Sequence, residues 1–129
     1  MIEKLKEIQN ELKTQDNRST ADPIFLVQEK ERVYGMDTEY APETCYYDSE
    51  NYCEISEEEY EALDGEGSVD YIGFFDQWRI IQPFFTEKAA QQYIDGNYYR
   101  HKGELRIYAD SLYRNSEMKM IRDYILNLE

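Results

Sequence analysis

TQDNRSTADPIFLVQEKERVYGMD, residues 14–37, is the stretch on which the reading of the chain turns. Its first part, Thr14 to Pro23, is a polar knot. Asp16, Asn17, Ser19, Thr20 and Asp22 carry short side chains that bond to neighbouring backbone, and Asp22-Pro23 favours an extended exit. The next four residues, Ile24-Phe25-Leu26-Val27, are apolar on both faces of an extended chain. Gln28-Glu29-Lys30-Glu31-Arg32 then alternates in charge before Val33 and Tyr34. One strand that begins in the core and emerges toward solvent, Ile24 to Tyr34, accounts for this order. A helix is the competing reading, because Glu-Lys-Glu-Arg is also good helix composition. In either case Gly35 is expected to end the element.

Outward from this stretch, Ile2, Leu5, Ile8 and Leu12 fall on one helical face and predict an amphipathic helix over 2–13. Toward the C-terminus, Thr44 to Tyr47 and Tyr52 to Ile55 read as a hairpin turning at Asp48-Ser49-Glu50-Asn51. Ser56-Glu57-Glu58-Glu59 opens a short acidic helix to about Leu63, followed by a loop over 64–68. Tyr71 to Phe75 and Gln77 to Phe85 alternate large aromatics and aliphatics and are expected as central strands, with Pro83 placing the last part at an edge or bulge. Thr86 caps a short helix that Gly96 should stop, and Leu105 to Ala109 alternates as a half-buried strand. Asn115 or Ser116 caps a final helix whose buried stripe is Met118, Ile121, Ile125 and Leu128. The expected architecture is α+β: an antiparallel, aromatic-rich sheet flanked by N- and C-terminal amphipathic helices, with an acidic hairpin and short helix inserted.

At 129 residues the chain has the length of a single domain, here with an acidic subregion over 33–78. Hydrophobic content is only 41%, but 13 Tyr and 5 Phe supply apolar area, so the low value does not imply disorder. No apolar run exceeds Ile24 to Val27, and the charged, amphipathic N-terminus differs from a signal peptide; a cytoplasmic protein with no membrane partner is expected. The net charge of −14 is unevenly placed: Val33 to Trp78 holds 14 acids and no base, and the rest holds 14 acids and 14 bases. Such a segment repels nucleic acid and attracts basic surfaces, with a force that salt weakens. Cys45 and Cys53 make neither a disulfide framework nor a zinc site; a bridge across the hairpin is geometrically allowed, and two small thiols is the plainer reading.

Thr14-Gln15-Asp16-Asn17-Arg18, Ala21-Asp22-Pro23-Ile24-Phe25, Val27-Gln28 with Lys30 and Arg32, Tyr34-Gly35-Met36-Asp37, Arg106-Ile107-Tyr108, and Tyr113-Arg114-Asn115 with Glu117 together resemble a widespread family of small phage and prophage accessory proteins. The resemblance covers both ends of the chain and little of the acidic middle. It implies a protein acting inside a bacterial host cell, it carries no catalytic residues over, and accessory genes of this type often interfere with host defence.

The residues bear on three kinds of function. In the first, Asp48, Glu50, Glu54, Glu57, Glu58, Glu61, Asp64 and Glu66, interleaved with Tyr46, Tyr47, Tyr52 and Tyr60, imitate the row of charge on a nucleic acid and dock on a basic, nucleic-acid-handling host protein. Asp70 extends the same row. The plainer alternative is a solvated acidic edge on a structural accessory protein without a ligand. In the second, Arg18, Arg100, His101, Arg106 and Arg114, with Tyr98 and Tyr99 for stacking, form a nucleotide or second-messenger pocket; against it, the arginines bond locally and hold loops. The third, catalysis, has little support: His101 is the only histidine, and no nucleophile stands in a recognisable triad or elbow spacing. Calcium ligation by Asp48, Glu50, Asn51 and Glu54 fails because Cys53 stands where a calcium loop needs glycine. No cofactor, no metal and no enzyme activity are expected, and exposed tyrosines suit a homodimer.

Overall fold

The computed structural model describes residues 1–129. Its elements run α1 (Ile2–Thr14), β1 (Pro23–Met36), β2 (Glu43–Asp48), β3 (Cys53–Ile55), α2 (Glu57–Ala62), β4 (Val69–Phe84), α3 (Glu87–Asn97), a 3₁₀ turn (Tyr98–Arg100), β5 (Leu105–Ser111) and α4 (Ser116–Leu126). The strands form one five-stranded antiparallel sheet in the order β3-β2-β4-β1-β5, flanked by the N- and C-terminal helices. The chain divides into two compact units, Met1–Lys30 with Trp78–Glu129, and Glu31–Gln77, and the long strands β1 and β4 each contribute to both.

In the first unit the apolar start of β1 makes the core. Phe25 and Val27 are fully buried with Ala90 of α3, and Ile81, Phe84, Tyr93, Ile94, Leu105, Ile107 and Ala109 pack around them. β1 pairs with β5 from Pro23↔Ser111 to Glu29↔Leu105, so Phe25, Val27, Ile107 and Ala109 share one face. The strand stays buried longer than its composition suggests. Gln28 and Glu29 are buried as well, because each has a partner: Arg106 Nε donates to Gln28 Oε1 at 2.8 Å, and Glu29 pairs with His101 and Arg79. The knot before β1 is ordered, with Arg18, Ser19 and Asp22 at positive φ. Arg18 N–H donates to Asp16 Oδ1 at 2.8 Å, and Ser111 Oγ donates to the Ala21 carbonyl at 2.6 Å.

Several sequence expectations change in the folded chain. β1 does not stop at Gly35: the glycine takes φ 99° inside the strand, a conformation open to it without a Cβ, and pairing continues to Met36. Gly96 likewise lies within α3, which ends at Asn97. Tyr71–Phe75 and Gln77–Phe85 are not two strands but the single β4. β2 pairs with β4 only over Val69–Phe74, so Pro83, which lacks an N–H, is on a stretch of β4 without a β2 partner. In α4 the side chain buried between Met118 and Ile125 is Arg122, 5% exposed, whereas Ile121 is 40% exposed. Arg122 donates to Asp22 Oδ1 at 3.3 Å, and this ion pair turns the helix face. In α1, Gln9 is buried beside Leu12 because its amide donates to the carbonyls of Leu126 and Leu128 at 3.1 and 2.6 Å, capping the end of α4, and Ile2 is left exposed. The caps fall where expected: Ser56, Thr86 and Asn115 each accept an N–H three residues on.

Two glycines separate backbone need from helix propensity. A Cβ at Gly103 would collide with the Lys30 carbonyl, next to the 2.8 Å bond from Lys30 N–H to Glu104, whereas nothing lies within 4 Å of one at Gly96. Gly103→Ala should therefore destabilise by about 1–3 kcal/mol, and Gly96→Ala should stabilise by about 1 kcal/mol. Thermal unfolding followed by circular dichroism reads both shifts, which are expected to have opposite signs.

Candidate functional site

The acidic unit, Glu31–Gln77, contains a single base, Arg32, and the structure uses it. Arg32 Nε and one terminal nitrogen donate to the two oxygens of Asp76 at 2.9 and 3.2 Å, and the other donates to Glu54 Oε1 at 2.7 Å. The guanidinium lies over the Phe74 ring, 4.1 Å from its centroid. Tyr34 donates to the same Glu54 oxygen at 3.0 Å and packs on Tyr47 with ring centroids 4.6 Å apart. This clamp joins β1, β3 and β4. It holds Arg32 still further above its already high pKa, through Asp76 first and Glu54 second. The Tyr34 phenol is pushed up to about 12, mainly by burial and then by its bond to Glu54. Burial, followed by the Glu54 charge, also raises the Cys45 thiol.

Strand register distributes the acids and tyrosines. β2 pairs with β3 from Tyr46↔Ile55 to Asp48↔Cys53, and with β4 from Glu43↔Phe74 to Asp48↔Val69. Consecutive strand residues point to opposite faces, so Tyr46 and Tyr47 part company. Tyr47 and Glu54 are opposed on the clamp side. Tyr46 lies on the other side, opposite Tyr71, where α2 packs. There Tyr46 and Tyr60 stack at 4.2 Å with 16° between their planes, Tyr71 is tilted against Tyr46 at 5.0 Å, and the Tyr71 and Thr44 hydroxyls are 2.8 Å apart.

The twelve residues singled out for partner binding therefore fall into four places. Tyr46, Tyr60, Glu57, Glu58 and Glu61 gather at α2, where the three glutamates are exposed and make no ion pair. Glu59 is occupied, accepting from the Ser56 hydroxyl at 3.2 Å in the cap. Tyr47 and Glu54 belong to the clamp. Asp48, Glu50 and Tyr52 stand at the hairpin tip, where Asp48 accepts from the Glu50 and Asn51 backbone and from the Asn51 amide, and Glu50 accepts from Ser68. These bonds, the Asn51 amide foremost, hold the Asp48 carboxyl below its ordinary pKa. Asp64 and Glu66 are exposed in the loop before β4. Cys45 and Cys53 are free thiols: Cys53 opposes Asp48, and Cys45 opposes Ile72. Sequence reasoning passed over Arg32 and Tyr71 as site residues. Tyr71 becomes visible only through the register that sets it beside Tyr46.

The candidate residues for a nucleotide pocket are spread through the other unit, and most of their donors have internal partners. Arg18 donates to the Ile107 carbonyl at 2.9 Å and to Glu87. His101 sits between Glu29 Oε1, 2.9 Å away, and the Tyr93 hydroxyl, 3.2 Å away. Arg106 stacks over Trp78 at 3.9 Å and bonds to Gln28. Arg100 donates to the Tyr99 hydroxyl at 3.2 Å, and Tyr98 packs edge-on to Tyr99. Arg114 is exposed. No helix is long and apolar enough to cross a membrane. No protein family, curated protein or solved structure matches this chain.

The clamp makes two measurable claims. Arg32→Ala removes the guanidinium that Asp76 and Glu54 share and should cost about 1–2 kcal/mol after allowance for solvent screening of these part-exposed groups, read as a lower urea midpoint. Tyr34, with its pKa raised, supports the fold fully below the ordinary tyrosine value, about 10, and that support is lost as pH rises through about 12. Absorbance titration should show a phenol that ionises near pH 12, and Tyr34→Phe should remove that step.

Proposed function

We propose that this chain is a phage-encoded, non-enzymatic accessory protein that inhibits a host defence protein by docking its acidic, tyrosine-rich surface on a basic, nucleic-acid-binding surface of that partner. The observation that carries the reading is at α2: Glu57, Glu58 and Glu61 are exposed without a base beside them, next to the rings of Tyr46, Tyr60 and Tyr71. Duplex DNA offers a groove of basic residues a dense row of negative charge. Carboxylates one helical turn apart present charge in the same sense, and half-exposed tyrosines add apolar contact that a phosphate backbone lacks. The same charge keeps nucleic acid itself away from this surface.

Part of the acidity serves folding instead. Glu54 and Asp76 hold Arg32, and Asp48 and Glu50 hold the hairpin tip, so the docking charge is centred on α2 with Asp64 and Glu66 as its extension. The phage origin and the host-defence target rest on the resemblance carried by the chain ends. The nucleotide-sequestering alternative is less well supported, since Arg18, His101 and Arg106 are engaged with Glu87, Glu29 and Gln28.

Replacing Glu57, Glu58 and Glu61 with Lys should lower retention of the basic partner from bacterial lysate at low salt by at least about tenfold, with the fold unchanged by circular dichroism. Raising salt should weaken wild-type retention in the same direction. Retention that survives the triple reversal would remove α2 from the account.

A further inference from the structure

We propose that the patch formed by Tyr46, Tyr60 and Tyr71 with Glu57 and Glu61 receives an arginine side chain of the protein partner, its guanidinium laid on a tyrosine ring and its N–H groups on the two carboxylates. The inference rests on the docking reading above and names the chemistry by which that surface selects its partner.

The chain itself holds arginine in this manner at close range in two places. Arg32 lies over Phe74 at 4.1 Å with its donors on Asp76 and Glu54, and Arg106 lies over Trp78 at 3.9 Å with Nε on Gln28. Each site is an aromatic face with oxygen acceptors at its margin. The α2 side of the sheet offers the same two components, and residues 33–78 contain no base to take them up. Tyr46 and Tyr60 are too closely stacked, at 4.2 Å, to admit a cation between them. Tyr71 is different: 55% exposed and tilted by 46°, it presents an outer face, and its hydroxyl contact with Thr44 fixes the ring. Glu57 and Glu61 stand four residues apart on α2, on the helix face that carries Tyr60. Burial first, and then the charges of Glu57 and Glu61 among others, raise the Tyr46 phenol, so both carboxylates act on that ring.

Arginine suits this arrangement better than lysine. Its planar guanidinium stacks flat on an aromatic ring while its edge donates in two directions to carboxylates, whereas an ammonium is a more strongly hydrated point charge that cannot lie flat on a ring. A divalent cation would gain from the carboxylates alone. The expected occupant is therefore an arginine from a surface that otherwise grips phosphate, where arginine is the residue of planar, two-pronged contact.

Two labelled peptides of equal length and charge, alternating Gly-Arg and Gly-Lys, titrated into the full chain at fixed ionic strength, test this. The Arg peptide should bind about two- to fivefold more tightly for each ring it covers. Tyr71→Ala should erase the preference, and Tyr71→Phe should keep it, because the ring and not the hydroxyl meets the cation. Thermal unfolding of each variant shows that the fold survives. Equal affinity for the two peptides in the wild type, or a preference unchanged by Tyr71→Ala, would overturn the arginine assignment while leaving acidic docking in place. Binding of neither peptide at low salt would overturn both.

Discussion

The acidic unit folds around one cation. Between Glu31 and Gln77 the chain carries Arg32 as its only base, and the fold places it where β1, β3 and β4 can share it. Its three donor groups meet Asp76 and Glu54, its face covers Phe74, and the Tyr34 hydroxyl completes the coordination of Glu54. A unit so charged repels itself. Two of its carboxylates are neutralised where strands converge, and others are spent on turns and caps, as Asp48 and Glu59 are. What remains without a base is densest at α2 and the loop that follows it, with Glu39, Glu43 and Asp70 exposed elsewhere in the unit. The distribution of free charge is thus a consequence of how the unit solves its own folding problem.

The other unit solves its problem differently. Its β1 half is buried on residues that look surface-like, because Gln28 and Glu29 acquire partners from β5, β4 and the turn after α3. A buried polar group is tolerable only when bonded, and here each bond also ties two elements together. Gln9 on the carbonyls of Leu126 and Leu128 does the same for the two terminal helices. The Gln28 and Glu29 contacts engage Arg106, Arg79 and His101, which would otherwise be available to an anionic ligand.

Features set by local chemistry could be read from the chain. The caps at Ser56, Thr86 and Asn115, the hairpin, and the turn-forming Arg18 N–H to Asp16 bond inside the knot depend on residues close in sequence. Features set by pairing partners could not. Gly35 and Gly96 looked like stops because each is a breaker in isolation, yet neighbouring strand and helix bonds carry the backbone through both. Ile121 looked like core, and Arg122 took its place because Asp22 lies across from it. The candidate surface shows the same limit. Composition marked the acidic segment, but the separation of Tyr46 from Tyr47, the recruitment of Tyr71 and the withdrawal of Glu54 into the clamp all follow from strand register, which distant residues decide.

The central claim is that the α2 surface stands in for nucleic acid on a basic partner, and competition tests it most directly. The tagged chain is held on a resin with the protein it retains from nuclease-treated bacterial lysate at low salt, and duplex DNA is added in increasing amounts. The account predicts that the retained species is a nucleic-acid-binding protein and that DNA displaces it at a concentration matching that protein's own affinity for DNA. A partner that binds chain and DNA together, with no displacement at saturating DNA, would contradict it.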